Sequence, residues 1–79
     1  KVDHDSMAQE LNAVLEQVLK EREAIIVREC FGIGCHEMGL EEIGDHLGLT
    51  RERVRQIREK SIAKLRESGN IKVLMKYLG

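Results

Sequence analysis

The sequence predicts an all-α fold, a small bundle of about five helices. Its 79 residues contain no proline, which is the residue most disruptive to a helix interior. Apolar residues recur at the spacing of one helix face, and no segment alternates as a half-buried strand does. With 42% hydrophobic residues, but only Phe31 and Tyr77 as aromatics, the chain can form one small core of Leu, Ile, Val and Met.

The first predicted helix begins near Met7, because Ser6 and Gln9 have the spacing of a capping box. Its apolar face follows the helical repeat and consists of Leu11, Val14, Leu15, Val18 and Leu19. The polar run 20–23 predicts a break or a bend. A second helix then covers 24–31 and ends at two nearby glycines, before a loop at 32–39.

Three further helices are expected in the second half of the chain. A short helix with Leu40, Ile43 and Leu47 on one face ends at Gly48. Thr50 is a favourable N-cap for a longer helix, whose buried face comprises Val54, Ile57, Ser61, Ile62 and Leu65. Gly69 ends that helix, Asn70 can cap the last one, and the inner face of the last helix consists of Ile71, Leu74 and Leu78.

Charge is distributed unevenly along the chain. The formal net charge is −1, yet residues 1–50 hold 4 basic and 11 acidic side chains. Residues 51–66 hold 7 basic and 2 acidic ones, so one predicted helix has a balance of +5. A charge run on a helix is commonly a solvated face, but here one sign dominates, which is typical of a phosphate-binding element.

The segment 40–65 has the plan of a helix-turn-helix, with a short helix, a glycine-containing turn and a longer basic helix. A hairpin of this kind can also pack without binding anything, so the second helix decides the interpretation. Opposite its apolar face lie Glu52, Gln56 and Lys60, and Arg51 flanks the same opening turns. A recognition helix enters the major groove by its N-terminal turns, where Arg suits guanine, Glu suits cytosine and Gln suits adenine. The sequence therefore predicts a DNA-binding helix that discriminates between bases.

Three segments resemble the primary sigma factors of the sigma-seventy family. They are 40–44 (LEEIG) with 49–57 (LTRERVRQI), the stretch 19–33 with REA at 22–24 and FGI at 31–33, and the tail 64–78. The resemblance covers roughly residues 19–78, and a match of this length and order does not arise by chance. It implies region four, the C-terminal promoter-recognition domain, over 19–79, with its helix-turn-helix at 40–67. Residues 1–18 would be an N-terminal helix or linker from the preceding domain.

The resemblance also implies a function for the domain. It would bind the minus-35 promoter element as double-stranded DNA and dock on the β flap of the RNA polymerase core during transcription initiation, in the bacterial cytoplasm. Activators and anti-sigma factors would be further partners, and neither a cofactor nor a membrane is implied.

Individual roles follow from the same resemblance. The implied base contacts are Arg51, Glu52 and Gln56. The implied contacts to the DNA backbone are Arg22, Thr50, Arg53, Arg55 and Lys60, and those to activators are Lys60, Lys64 and Arg66. Two of these, Arg55 and Arg66, could instead pair with a nearby Glu. Apolar residues of the second helix, such as Ile26, would border the groove that receives the flap or simply pack in the core.

Four positions depart from the family's usual residues. Cys30 and Ala63 stand where arginine is common, and Asn70 stands where a basic residue is common. Gly39 replaces a threonine cap, which weakens that helix start by ~0.5 kcal/mol. The missing charges predict weaker phosphate anchoring than in typical relatives, and a salt dependence as steep as theirs would contradict this hypothesis.

Other functional classes fit the sequence less well. Cys30, Cys35 and His36 suggest a zinc site, but a fourth ligand, His4 or His46, would be distant in the sequence. Two cysteines are too few for a disulfide framework, which suits a reducing compartment. No phosphate loop, nucleophile motif or paired-carboxylate cleft indicates an enzyme, and no apolar run approaches the roughly 20 residues of a membrane span.

The main alternative is a helical protein-interaction module that binds polymerase or an anti-sigma factor without contacting bases. The face formed by Arg51, Glu52, Arg53 and Gln56 distinguishes the two functions. If changes on this face abolished partner binding but not DNA binding, the alternative would be favoured.

Overall fold

The computed structural model describes residues 4–79, and their side chains from Ser6 onward. Five helices follow one another in that part of the chain, α1 (His4–Val18), α2 (Glu21–Phe31), α3 (Leu40–Leu47), α4 (Arg51–Glu67) and α5 (Ile71–Leu78). Residues 4–79 contain no strand, so the predicted all-α class is confirmed. No helix within this range has both the length and the apolar character needed to cross a membrane.

The start of α1 was predicted wrongly. Within the described residues the helix already includes His4, so Ser6 is a helical residue and not the cap. A Ser-x-x-Gln spacing also fits interior positions of a helix, and the spacing alone therefore does not fix a helix start. The apolar face of α1 is confirmed, since Leu11 and Leu15 are fully buried.

The predicted break between the first two helices is present but shorter than the run 20–23, because Lys20 is the N-cap of α2 and the helix already begins at Glu21. The Lys20 backbone N–H donates to the Glu23 carboxylate at 3.0 Å, which satisfies one of the N–H groups at the helix start. α2 ends at Phe31, and the predicted loop follows it up to α3.

Two apolar clusters form the core of the protein. The first lies among α1, α2, α4 and α5, and its buried side chains are Leu11, Leu15, Leu19, Ala24, Val27, Ile33, Leu65 and Leu74. The second lies among α2, α3 and α4 and consists of Ile26, Ile43, Val54 and Ile57. Because α2 and α4 contribute to both clusters, they join the helix-turn-helix to the rest of the bundle.

The last helix departs from its predicted packing. Leu74 is buried as expected, but Leu78 in the final turn is 45% exposed, and Tyr77 packs against the core instead. Asn70 occupies the N-cap position without capping α5 through its side chain. Its amide donates instead to the Ser68 hydroxyl at 3.0 Å.

The turn between α3 and α4 depends on two glycines. Gly48 ends α3, as the sequence predicted, with a φ of +72°, in the left-handed region that glycine adopts without steric cost. Gly44, which the turn pattern does not indicate, lies where the turn folds back onto α3. The Leu49 N–H donates to the Gly44 carbonyl at 2.8 Å, and a Cβ at position 44 would lie 2.5 Å from the Leu49 carbonyl oxygen. The turn can therefore pack this closely only because residue 44 has no side chain.

We expect Gly44→Ala to lower the free energy of unfolding by more than about 2 kcal/mol, because the added methyl forces the turn away from α3. Gly48→Asn is the matched control, since its Cβ meets open space and Asn tolerates the left-handed region. It should cost less than about 1 kcal/mol. Urea unfolding followed by circular dichroism measures both. Equal destabilisation by the two substitutions would contradict the close contact at Gly44.

Candidate nucleic-acid interface

The cap at Thr50 fixes where the basic helix α4 begins. The Thr50 hydroxyl oxygen accepts from the Arg53 N–H at 3.1 Å, as the sequence predicted. Four residues of α4 are buried, Val54, Ile57, Ser61 and Leu65, and the Ser61 hydroxyl is satisfied by donating to the Ile57 carbonyl at 2.7 Å. This burial sets the rotation of the helix about its axis.

The three residues predicted to contact bases lie together on the exposed part of α4. Arg51, Glu52 and Gln56 are all exposed, within the first two turns of the helix and away from its buried face. The Gln56 carbonyl oxygen accepts from an Arg53 guanidinium N–H at 3.4 Å, which orients the amide. The N-terminal turns of α4 thus present an arginine, a carboxylate and an amide to solvent, as the sequence predicted.

Glu52 is held by an arginine three residues later. Arg55 Nε and Nη2 donate to its two carboxylate oxygens at 3.0 and 2.6 Å, and Arg55 Nη1 donates to Glu59 at 2.9 Å. The hydrogen bonds from Arg55 lower the pKa of Glu52, and those to Glu52 and Glu59 raise the pKa of Arg55. The expected alternative for Arg55, pairing with a nearby Glu, is therefore the one that the structure contains.

A groove of about 190 Å³ runs between the start of α2 and the exposed side of α4. It brings together four residues expected at the DNA backbone or bases, which are Arg22, Arg53, Gln56 and Lys60. The remaining lining residues are Lys20, Glu23 and Ile57. Four cations and one carboxylate border this groove, an arrangement suited to a phosphate group. Lys20 lies in the predicted break, and no pattern in the sequence indicated its place here.

The one carboxylate of the groove is already engaged. Glu23 has an 8% exposed side chain, and both its oxygens accept from Lys64 Nζ, at 2.9 and 3.0 Å. Burial raises the pKa of Glu23, but the hydrogen bonds from the Lys20 backbone and from Lys64 outweigh it, so the pKa lies below its ordinary value of 4.5. The pair joins α2 to α4 and neutralises the acid beside the groove.

The residues expected to contact activators do not form one surface. Lys60 and Arg66 are exposed, whereas Lys64 is bound to Glu23. At about 100° per residue, Arg66 lies far around the helix from Lys60. Between Ser6 and Gly79, Arg66 forms no ion pair, so the alternative considered for it does not apply there.

Arg58 supplies a cation beside the position where the family usually has one. Its Nη1 lies 3.8 Å from the Cys30 sulfur, so a guanidinium from α4 stands next to the cysteine that replaces the usual arginine of α2. The sequence did not single out Arg58, because its neighbour across the bundle is 28 residues away. The loss of charge inferred at position 30 is therefore partly offset in space.

The surroundings of the two cysteines do not form a metal site within the described residues. Cys30 is half-buried against the core of the helix-turn-helix, and the exposed Cys35 donates a weak hydrogen bond to the Arg28 carbonyl at 3.6 Å. Within the described part of the chain, no three His, Cys, Asp or Glu side chains are grouped so that they could hold a metal ion. His4, one of the distant ligands considered, lies outside the described side chains.

The short α3, the tight turn and the exposed N-terminal turns of α4 define a helix-turn-helix domain. A family model for region 4 of sigma-70 matches residues 17–67. The chain is 44% identical to the RNA polymerase sigma factor RpoD of two Helicobacter pylori strains, over 98% of this chain and 12% of each relative. The chain therefore belongs to the sigma-70 region 4 family, and it spans about an eighth of the length of these relatives.

We expect Glu23→Gln to lower the free energy of unfolding at neutral pH by roughly 1–3 kcal/mol, because a buried charged acceptor is lost. The pKa of Glu23 is lower in the folded protein than its ordinary value of 4.5. Ionised Glu23 therefore stabilises the fold fully above pH 4.5, and this stabilisation is lost as the pH falls through the lowered pKa. The difference between the two proteins should therefore shrink below about pH 4.5.

Urea unfolding at a series of pH values measures this difference. Glu67→Gln is the matched control, since it makes the same change at an exposed acid in the last turn of α4 and should leave stability within about 0.5 kcal/mol. A difference between wild type and Glu23→Gln that grew below pH 4.5 would contradict the lowered pKa.

Proposed function

We propose that this domain binds the minus-35 promoter element as duplex DNA, with the first turns of α4 in the major groove. The observation that supports this most is the groove in which Gln56 lies among Arg22, Arg53 and Lys60. A side chain suited to a base edge is thus flanked by cations suited to the phosphates beside it. Family membership points to the same role, promoter recognition in transcription initiation.

Base discrimination falls to three exposed side chains. Arg51 donates two hydrogen bonds to guanine, the Glu52 carboxylate accepts from the cytosine amino group, and the Gln56 amide pairs with adenine. A contact of this kind contributes about 1–3 kcal/mol of preference for its base. Glu52 supports base contact in particular, because a carboxylate at a surface that bound only phosphates would be repelled.

The residues that bind phosphates in this proposal lie beside the three base-contacting side chains. Arg22 reaches the groove from α2, and Arg53 and Lys60 reach it from α4. The Thr50 hydroxyl accepts from the Arg53 N–H and keeps its own hydrogen for a phosphate oxygen. Each neutralised phosphate releases counterions, so these contacts make binding dependent on salt.

Docking on the β flap of RNA polymerase uses a neighbouring groove in this proposal, and Arg22 borders both grooves. Ile26 is fully buried, so it packs in the core and does not face a partner. The neighbouring Ile25 is half-buried and, with Leu47 of α3, lines a groove of about 240 Å³ whose other residues are Glu21 and Arg22. Two partly exposed aliphatic side chains between α2 and α3 suit an apolar segment of the flap.

Activator contacts are proposed for Lys60 and Arg66 directly. Lys64 would contact an activator only by exchanging its ion pair with Glu23 for one with an acidic group of the activator. Anti-sigma factors would compete for the same exposed face of α4.

Substitutions within one groove separate base contact from phosphate contact. Gln56→Ala should weaken binding to a duplex containing TTGACA by about 1–3 kcal/mol and leave binding to a scrambled duplex unchanged. Lys60→Ala should weaken both equally, and the slope of log K against log salt should fall by about 0.9. Fluorescence anisotropy at several salt concentrations measures both effects.

Lys72→Ala is the control for lost charge, because Lys72 is an exposed lysine on α5. It should change neither the affinity for the two duplexes nor the slope of log K against log salt. Equal binding of both duplexes by the unaltered domain, with binding to polymerase retained, would favour the protein-interaction module over base recognition.

A further inference from the structure

Arg55 lies on the exposed side of α4 but is surrounded by acids of its own helix. Its side chain is 41% exposed, and it spans from Glu52, three residues before it, to Glu59, four residues after it. Three of its nitrogens donate to carboxylate oxygens, at 2.6, 2.9 and 3.0 Å. The Arg55 side chain is therefore held by two carboxylates, one from the preceding turn of α4 and one from the following turn.

We infer that Arg55 is a positioning residue, which orients the Glu52 carboxylate for the base it contacts and is itself held by Glu59. This inference rests on the proposed function, because it needs Glu52 to contact a base. It also replaces the role in binding the DNA backbone that the family resemblance implies for Arg55.

The charges around Arg55 oppose a phosphate contact. Glu52, Arg55 and Glu59 together have a net charge of −1, so a DNA phosphate approaching Arg55 meets two carboxylates that already occupy three of its five N–H donors. With only two N–H groups left, the guanidinium could make further phosphate contacts only by releasing hydrogen bonds to charged acceptors, and the two carboxylates repel the phosphate. The cations of the groove, Arg22 and Lys60 among them, offer a phosphate a less contested site.

The geometry leaves Glu52 able to accept from a base. A carboxylate has about four acceptor positions, and the two-pronged contact with Arg55 uses one on each oxygen. The remaining positions are available to the cytosine amino group. Because Arg55 fixes the plane of the carboxylate, Glu52 loses less side-chain freedom when it binds than an unpaired glutamate would.

Glu59 completes the arrangement from the next turn. It accepts from Arg55 Nη1, the one guanidinium nitrogen that does not donate to Glu52. Exposed ion pairs of this kind contribute little to folding stability, so substitutions here should leave the domain folded. Their effect should then appear in base preference.

The test compares Arg55→Ala and Glu52→Ala on a TTGACA duplex and on duplexes with one base pair changed at a time. We expect Glu52→Ala to reduce discrimination at one base pair by about 5- to 150-fold. Arg55→Ala should reduce discrimination at that same base pair, and the double variant should lose no more than Glu52→Ala alone. The salt slope of Arg55→Ala should match that of wild type.

Glu59→Gln should reduce discrimination at the same base pair by a smaller factor. Glu67→Gln is its matched control, because it removes the same charge from α4 outside the trio and should leave discrimination unchanged. Circular dichroism checks that each variant keeps its helices.

Two outcomes with Arg55→Ala would overturn the inference while base recognition stands. One is an equal loss on every duplex with a salt slope lower by about 0.9, which would make Arg55 a phosphate ligand. The other is unchanged discrimination. If wild type bound every duplex equally, both the inference and the proposed function would fail.

Discussion

The burial of one face of α4 positions every side chain of the interface. Val54 and Ile57 pack with α2 and α3, while Leu65 packs with α1, α2 and α5, so the helix is held at two places along its length. This fixes its rotation, and residues such as Gln56 must face solvent. The cap at Thr50 and the close approach at Gly44 fix where the helix starts. Contacts to base edges need this rigidity, because hydrogen bonds lose their strength with small displacements and poor angles.

Pairing among charges allows a chain of net charge −1 to present a cationic groove. Glu23, the one acid that lines the groove, is neutralised by Lys64, and Glu52 and Glu59, which do not line it, are partly neutralised by Arg55. The cations left along the groove come from both α2 and α4. The local field therefore differs in sign from the charge of the whole chain, and the arrangement of pairs matters more for DNA binding than composition does.

The sequence predicted the features that depend on local periodicity and failed where distant residues meet. The apolar stripes, the glycine turn and the Thr50 cap are set by residues within a few positions of one another, and all three are present. The pair of Glu23 with Lys64 joins residues 41 positions apart and depends on how α2 and α4 cross, which no short pattern encodes. The contact of Gly44 with the Leu49 carbonyl is local, but it depends on the path of the turn backbone and not on an apolar repeat. At the end of the chain, the apolar pattern of α5 did not indicate that Leu78 lies beyond the core. Arg55 illustrates this best among the interface residues, because the sequence left open whether its partner is a phosphate or a glutamate.

The central claim, that the opening turns of α4 discriminate between bases, is tested most directly by nuclear magnetic resonance. The isotopically labelled domain is titrated with a short duplex carrying TTGACA and with a scrambled duplex at the same salt concentration. The account predicts shifts concentrated on residues 50–60 that are larger with the promoter duplex. Weak, diffuse shifts of equal size with both duplexes would contradict it and leave α4 as a binder of phosphates alone.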